Sequence, residues 1–156
     1  MNKRIRRIYV DSSTVGGAFN KRLADQTRPF WDAVHRGEIV VIISDILEKE
    51  LQKAPDRAKQ LITMLPESCV ERVASTDESD ALAESYIAEK VVGPTSLDDC
   101  KHIALATLAR ADVLVSWNFK HIVNINRIQG YNGVNLKQGY HQIEIRTPNE
   151  VIHDEI

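Results

Sequence analysis

Hydrophobic and polar positions along this chain fall into blocks whose period changes. Arg6–Val10 (RRIYV) is a short β-branched and aromatic run, which predicts a strand. EIVVIIS at 38–44 is apolar almost throughout, the pattern of a strand buried on both faces. CVERVAS at 69–75 alternates, DVLVSW at 112–117 is again continuous, and IEIRT at 143–147 closes the series. Between these runs the period is helical. Residues 19–36 carry Phe30, Trp31, Ala33 and Val34 on a partial apolar face, interrupted near Pro29 and stopped at Gly37. Ser44-Asp45 starts a helix carrying Ile46, Leu47 and Leu51, and Ala54-Pro55 restarts one that runs to about Leu65. Ala81, Leu82, Tyr86 and Ile87 recur at helical spacing within 77–91. After the break at Gly93-Pro94, the stretch TSLDDCKHIALATL predicts a helix to about Arg110. Residues 118–140 read only as a polar stretch rich in Asn and Gly, and Pro148 is well placed to open a short terminal helix. Strands alternating with helices predict an α/β fold: one domain over residues 1–156, with a mostly parallel central sheet between helical layers.

Composition narrows the class. A length of 156 residues with 43% hydrophobic side chains suffices for a real core without disulfides or a structural metal. The basic N-terminus (Lys3, Arg4, Arg6, Arg7) leads into a strand and not into a signal-peptide core, and no apolar run approaches a bilayer span. A soluble, cytoplasmic protein with no membrane partner is expected. Cys69 and Cys100 have no metal-ligand spacing and read as free thiols in a reducing compartment. A net charge of −2 offers no bulk attraction for nucleic acid, so any such function needs a local site. A divalent cation on a carboxylate cluster provides one, because it reverses the local sign.

In an open parallel sheet, sites form beyond the carboxyl ends of the strands. Asp11 directly follows the first strand, Glu48 and Glu50 lie on the helix after the second, and Asn118 follows DVLVSW. Asp98 and Asp99 open the helix preceding that strand. Neither G-x-S-x-G, nor G-x-x-x-x-G-K-[ST], nor G-x-G-x-x-G occurs. Oxygen ligands without a matching His or Cys set suit Mg²⁺ or Mn²⁺ and the hydrolysis of a phosphodiester.

Four segments carry a family resemblance: YVDSS at 9–13, ISDILEKEL at 43–51, DDCKHIALATLARADVLVSWNFKHI at 98–122 and EIRTPNEV at 144–151. In this order they resemble the PIN-domain nucleases, the third segment being closest to the bacterial branch that includes the VapC-type toxins. The resemblance spans essentially the whole chain. It implies a PIN-like α/β/α domain and an Mg²⁺- or Mn²⁺-dependent endoribonuclease acting on RNA. It also implies a homodimer and, for the toxin branch, an antitoxin partner. The family's acids fall on Asp11, Glu50 and Asp99. Its fourth position, often Asp, is Asn118, a departure also found within that branch. Ser13 and Ser116 stand beside these positions as holders of ligands or water, and Lys120 and His121 are placed near substrate phosphate.

Each of these residues also has a plain structural reading. Asp11 ends a strand as an Asx-turn would. Ser96 and Asp99 have the spacing of an N-cap and capping box, and either aspartate favours a first helical turn. Glu50 can pair with Lys49 or Lys53 on a solvent face, and Asn118 can be a turn residue. His102, one helical turn after Asp99, reads as a packed histidine before it reads as a ligand or base. Two alternatives to a nuclease are a PIN-like binding or scaffold protein without catalysis, and a phosphoryl-accepting α/β domain. The second is disfavoured by the lack of an acid pair beside the first strand.

Overall fold

The computed structural model describes residues 4–153, so Lys3 of the basic cluster lies outside the described residues. Five strands form one sheet: β1 (Arg6–Val10), β2 (Ile39–Ser44), β3 (Val70–Val73), β4 (Val113–Val115) and β5 (Ile145–Arg146). Their order is β3-β2-β1-β4-β5 and every pairing is parallel. Alternation along each strand divides the core. Ile8, Val10, Val41, Ile43, Val113 and Val115 face one layer, while Tyr9, Ile42, Leu114 and Ile145 face the other. Helices α1 (Ser12–Gly17), α2 (Ala24–His35), α4 (Asp56–Thr63) and α8 (Pro148–His153) contribute Val15, Phe30, Val34, Ile62 and Val151 to the first layer. Leu47 and Leu51 of α3 (Asp45–Leu51) join them. Helices α5 (Asp77–Ala88), α6 (Leu97–Leu108) and α7 (Ile125–Lys137) pack Leu82, Tyr86, Ile103 and Tyr131 on the second. The result is an α/β/α sandwich. Both cysteines are free and buried, and no helix among the described residues is long and apolar enough to cross a membrane.

Three local expectations give way. The polar residues after Asp11 form α1, because the Asp11 side chain accepts the Thr14 N–H and caps it. The helix expected over 19–36 starts only at Ala24 and runs through Pro29, which forfeits the single backbone bond to Asp25. The stretch 118–140, read as lacking an element, contains thirteen-residue α7. Its asparagines hide it from a hydrophobic-pattern reading, since several point inward. Asn135 is fully buried, accepts from Tyr86 Oη at 2.5 Å and donates to Thr107 Oγ1 at 3.2 Å. Asn132 exchanges two hydrogen bonds with the Ile143 backbone, at 2.7 and 3.0 Å, which pins the chain entering β5. Gly130 lets α7 approach the α5 end: a Cβ there would meet Val91 Cγ1 at 2.7 Å.

The sheet order places the switch point between β1 and β4. The chain moves outward on one side of β1 through β2 and β3, then returns to the other side. Val10 pairs with Val115, so Asp11 and Ser116 emerge side by side at the carboxyl end.

Candidate active site

Asp11 is 4% exposed and is surrounded by hydroxyls instead of cations. Ser13 Oγ donates to Oδ1 at 2.7 Å and Ser116 Oγ donates to Oδ2 at 2.6 Å. These serines are themselves fixed by backbone: the Trp117 N–H donates to Ser13 Oγ at 2.8 Å, and the Asn118 N–H to Ser116 Oγ at 2.9 Å. Thr14 Oγ1 donates to the Val115 carbonyl at 3.0 Å and ties α1 to β4. Trp117 closes this floor. Its Nε1 donates to Thr27 Oγ1 at 2.9 Å, and its ring sits where a Cβ on Gly17 would be, 2.8 Å away. Asp11 therefore caps a helix and faces the switch point at once; its two readings do not compete.

The acids of α3 divide by face. Glu48 is exposed and pairs with Arg72 at 2.5 Å on the outer surface. Glu50 turns inward, and its Oε1 lies 2.5 Å from His102 Nε2. His102 is 2% exposed, and its Nδ1 lies 2.7 Å from Tyr9 Oη. Tyr9 Oη donates to Ser44 Oγ at 2.8 Å, and Ser44 Oγ accepts the Leu47 N–H at 3.1 Å as the N-cap of α3. The Glu50 carboxylate accepts from His102 Nε2, and the role of Nδ1 toward Tyr9 Oη follows from the imidazole tautomer. Burial works against a charged imidazole there, but the hydrogen bond and charge of Glu50, with Asp11 and Asp99 behind, raise the His102 pKa on balance.

The aspartates of α6 divide in the same way: Asp98 is exposed and Asp99 half-buried. The expected Ser96 cap does not form. Ser96 has φ −98 and ψ 20, ends the 3₁₀ turn Pro94–Ser96, and makes no capping bond. The 3₁₀ turn leads directly into α6 and leaves the Ser96 side chain no cap geometry. No described residue hydrogen-bonds the Asp99 carboxylate, whose pKa is raised. Burial is the main cause; Asp11 and Glu50 add to it, against the opposing pull of His121 and His102. Asp99 thus lies within the fields of both other acids. His121 has a buried Nδ1 with no hydrogen-bond partner among the described residues. Asn118 has its Oδ1 committed to the His121 N–H at 3.0 Å, the geometry of a turn. Lys120 is exposed beside it.

Among the described residues, no three His, Cys, Asp or Glu side chains are close enough to enclose one metal ion unaided. The donor set still fits a hard cation: three carboxylates without a lysine or arginine partner, and an orphaned ring nitrogen at the rim. Mg²⁺ and Mn²⁺ keep several waters and need only one or two protein carboxylates, so a spread shell suits them. Residue-by-residue reading named Ser13 and Ser116, which hold Asp11, but left out the residues behind His102. Tyr9 reads as core and Ser44 as a helix cap, and nothing local marks either as part of a site. His102 carried the one usable signal, its three-residue spacing from Asp99.

The architecture is that of a PIN-type domain. No family model matches the sequence, and no curated protein matches it. Among solved structures, the chain is similar to Mycobacterium tuberculosis VapC20, described as a toxin that cleaves the sarcin-ricin loop. The TM-score is 0.57 at 13% identity, covering 72% of this chain and 91% of that one. It is also similar to VapBC2 from Rickettsia felis, solved bound to a DNA fragment from its promoter. There the TM-score is 0.54 at 14% identity, with 90% and 98% of the two chains covered. At these identities the likeness is one of fold.

Proposed function

We propose that this chain is a divalent-metal-dependent endoribonuclease, the toxin component of a toxin–antitoxin pair. One observation supports the reading: the half-buried Asp99 carboxylate lies within the fields of Asp11 and Glu50, and no lysine or arginine among the described residues pairs with any of the three. Mutual repulsion of buried like charges is tolerated where a cation resolves it. Asp11, Glu50 and Asp99 would hold Mg²⁺ or Mn²⁺, which activates water and offsets charge on the phosphoryl oxygens.

The chain's own groups supply the remaining requirements. Ser13 and Ser116 hold the Asp11 carboxylate in one orientation, so little reorganisation is needed when a charged ligand arrives. His102 holds Glu50. Lys120, exposed, and His121, with its unpartnered Nδ1, would meet the substrate's phosphate. Hydrolysis adds water at phosphorus and releases the ribose oxygen, which leaves with a proton. The toxin role brings with it a small antitoxin partner, a homodimer and a cytoplasmic setting. A short DNA-binding-type reading frame beside the gene, co-purifying with this chain, is the expected outcome for the partner.

The test uses Asp11→Asn and Asp99→Asn. Asparagine at 11 keeps the helix cap. Each variant should retain the wild-type circular dichroism and lose at least ~100-fold of Mn²⁺-dependent cleavage of single-stranded RNA, the scale on which key electrostatic groups act. Wild-type rates in both would remove the proposal. The second reading, a PIN-like scaffold without catalysis, is favoured by one observation: Asn118 Oδ1 is spent on a turn, which leaves three acids at most. A scaffold need bind no metal, so calorimetry with Mn²⁺ separates the two.

A further inference from the structure

We infer that His102 is a positioning residue for Glu50, and that Tyr9 and Ser44 form the brace behind it; this rests on the metal-dependent reading above. The hydrogen bonds form a closed circuit around α3. Ser44 caps its amino end and receives Tyr9 Oη at 2.8 Å, Tyr9 Oη meets His102 Nδ1 at 2.7 Å, and His102 Nε2 meets Glu50 Oε1 at 2.5 Å near the carboxyl end of the same helix. Every member but Glu50 is buried: Tyr9 and Ser44 are fully enclosed and His102 is 2% exposed. Glu50 keeps a third of its side chain open, and its Oε2 has no partner among the described residues.

A buried histidine with two polar partners is an expensive way to fill a core, since each polar atom must be satisfied. An apolar side chain of like size would pack between α3 and the sheet without that demand. What the imidazole adds is direction. It occupies one oxygen of Glu50, fixes the carboxylate plane, and leaves the other oxygen without a partner among the described residues. A free glutamate has several rotamers to lose on binding a ligand, and here that loss is taken during folding. Outer-shell partners that orient ligating carboxylates typically control metal affinity by 10–100-fold. His102 need not touch the metal or substrate, and so is not a catalytic residue.

The experiment titrates MnCl₂ into the full-length chain by calorimetry, with a thermal melt of each variant as the folding control. His102→Leu removes the donor; His102→Gln retains an N–H that reaches Glu50; Tyr9→Phe keeps the ring and removes the brace. Expected are an increase in Kd for Mn²⁺ of about 10–100-fold for His102→Leu. His102→Gln should stay within about fivefold of wild type, and Tyr9→Phe should fall between the two. A merely structural histidine would instead lower the melting temperature in all three variants and leave Kd unchanged in the folded fraction. Equal Kd in wild type, His102→Leu and Tyr9→Phe overturns the inference while the metal-dependent reading stands. No binding by the wild type overturns both. Should His102→Leu fail to fold, Tyr9→Phe decides: an unchanged Kd overturns the inference and a weakened one supports it.

Discussion

The two ends of the parallel sheet treat their carboxylates in opposite ways. At the amino end, Glu71 of β3 receives the Arg7 guanidinium through Nε at 3.0 Å and Nη2 at 2.7 Å. Asp112, just before β4, accepts the Arg7 N–H at 2.8 Å and pairs with Arg4. Arg7 also donates to the Ala109 and Arg110 carbonyls at the end of α6, at 3.0 and 3.1 Å. At the carboxyl end, Asp11, Glu50 and Asp99 have hydroxyls, the Thr14 N–H, an imidazole and one another's fields, with no lysine or arginine partner among the described residues. What differs is the partner: arginines stand at the amino end and none at the carboxyl end, which is the end the proposed cation would occupy.

Four measurements break or sharpen this contrast, in order of expected effect. Mn²⁺ at a hundredfold its Kd should stabilise the wild type by about 2.7 kcal/mol, roughly 5–10 °C in a thermal melt, and should leave Asp99→Asn almost unmoved. An equal shift in both would mean that the ion binds elsewhere. Arg7→Ala should cost about 1–2 kcal/mol by urea denaturation, because it strips charge-assisted bonds from Glu71 and from the last turn of α6. Its Mn²⁺ affinity should match the wild type, since this end binds no ion.

A smaller effect concerns Asp99 without metal. Its folded-state pKa is raised, mainly by burial and then by Asp11 and Glu50, so its charged form opposes folding. Asp99→Asn should therefore be more stable than the wild type at neutral pH. The gain should fade as pH drops through the folded-state pKa of Asp99 and vanish below its unfolded value, where both side chains are neutral. A constant gain at every pH would assign the effect to packing. Smallest of all, Glu48→Gln should change stability by less than about 0.5 kcal/mol, since its pair with Arg72 lies on the exposed face of α3.

The legible and illegible parts of the sequence follow from where polar side chains point. β2, read as apolar at 38–44, is a strand at Ile39–Ser44, and α6 matches its apolar spacing because seven of its twelve residues are buried. α7 has the opposite character. Its buried Asn135 and its inward Asn132 satisfy Tyr86, Thr107 and the Ile143 backbone, partners from other elements that no local window contains. α1 escaped notice because Asp11 caps it, and the same carboxylate drew attention as a site residue. Ser96 failed in reverse: the residue type and spacing suit a cap, but the backbone arrives through a 3₁₀ turn and the side chain makes no such bond.

By itself, the sequence determined the alternation of elements, the apolar faces and the short list of acids, because periodicity and residue chemistry act over a few neighbours. The tertiary structure alone decided which acids are compensated. Glu48 and Glu50 are two residues apart and Asp98 and Asp99 are adjacent, yet one of each pair is exposed and the other half-buried. That choice depends on the rotation of α3 and α6 against the sheet. Partners distant in the chain bear on that rotation: His102 of α6 meets Glu50 of α3, and Tyr9 of β1 meets both His102 and Ser44, the cap of α3.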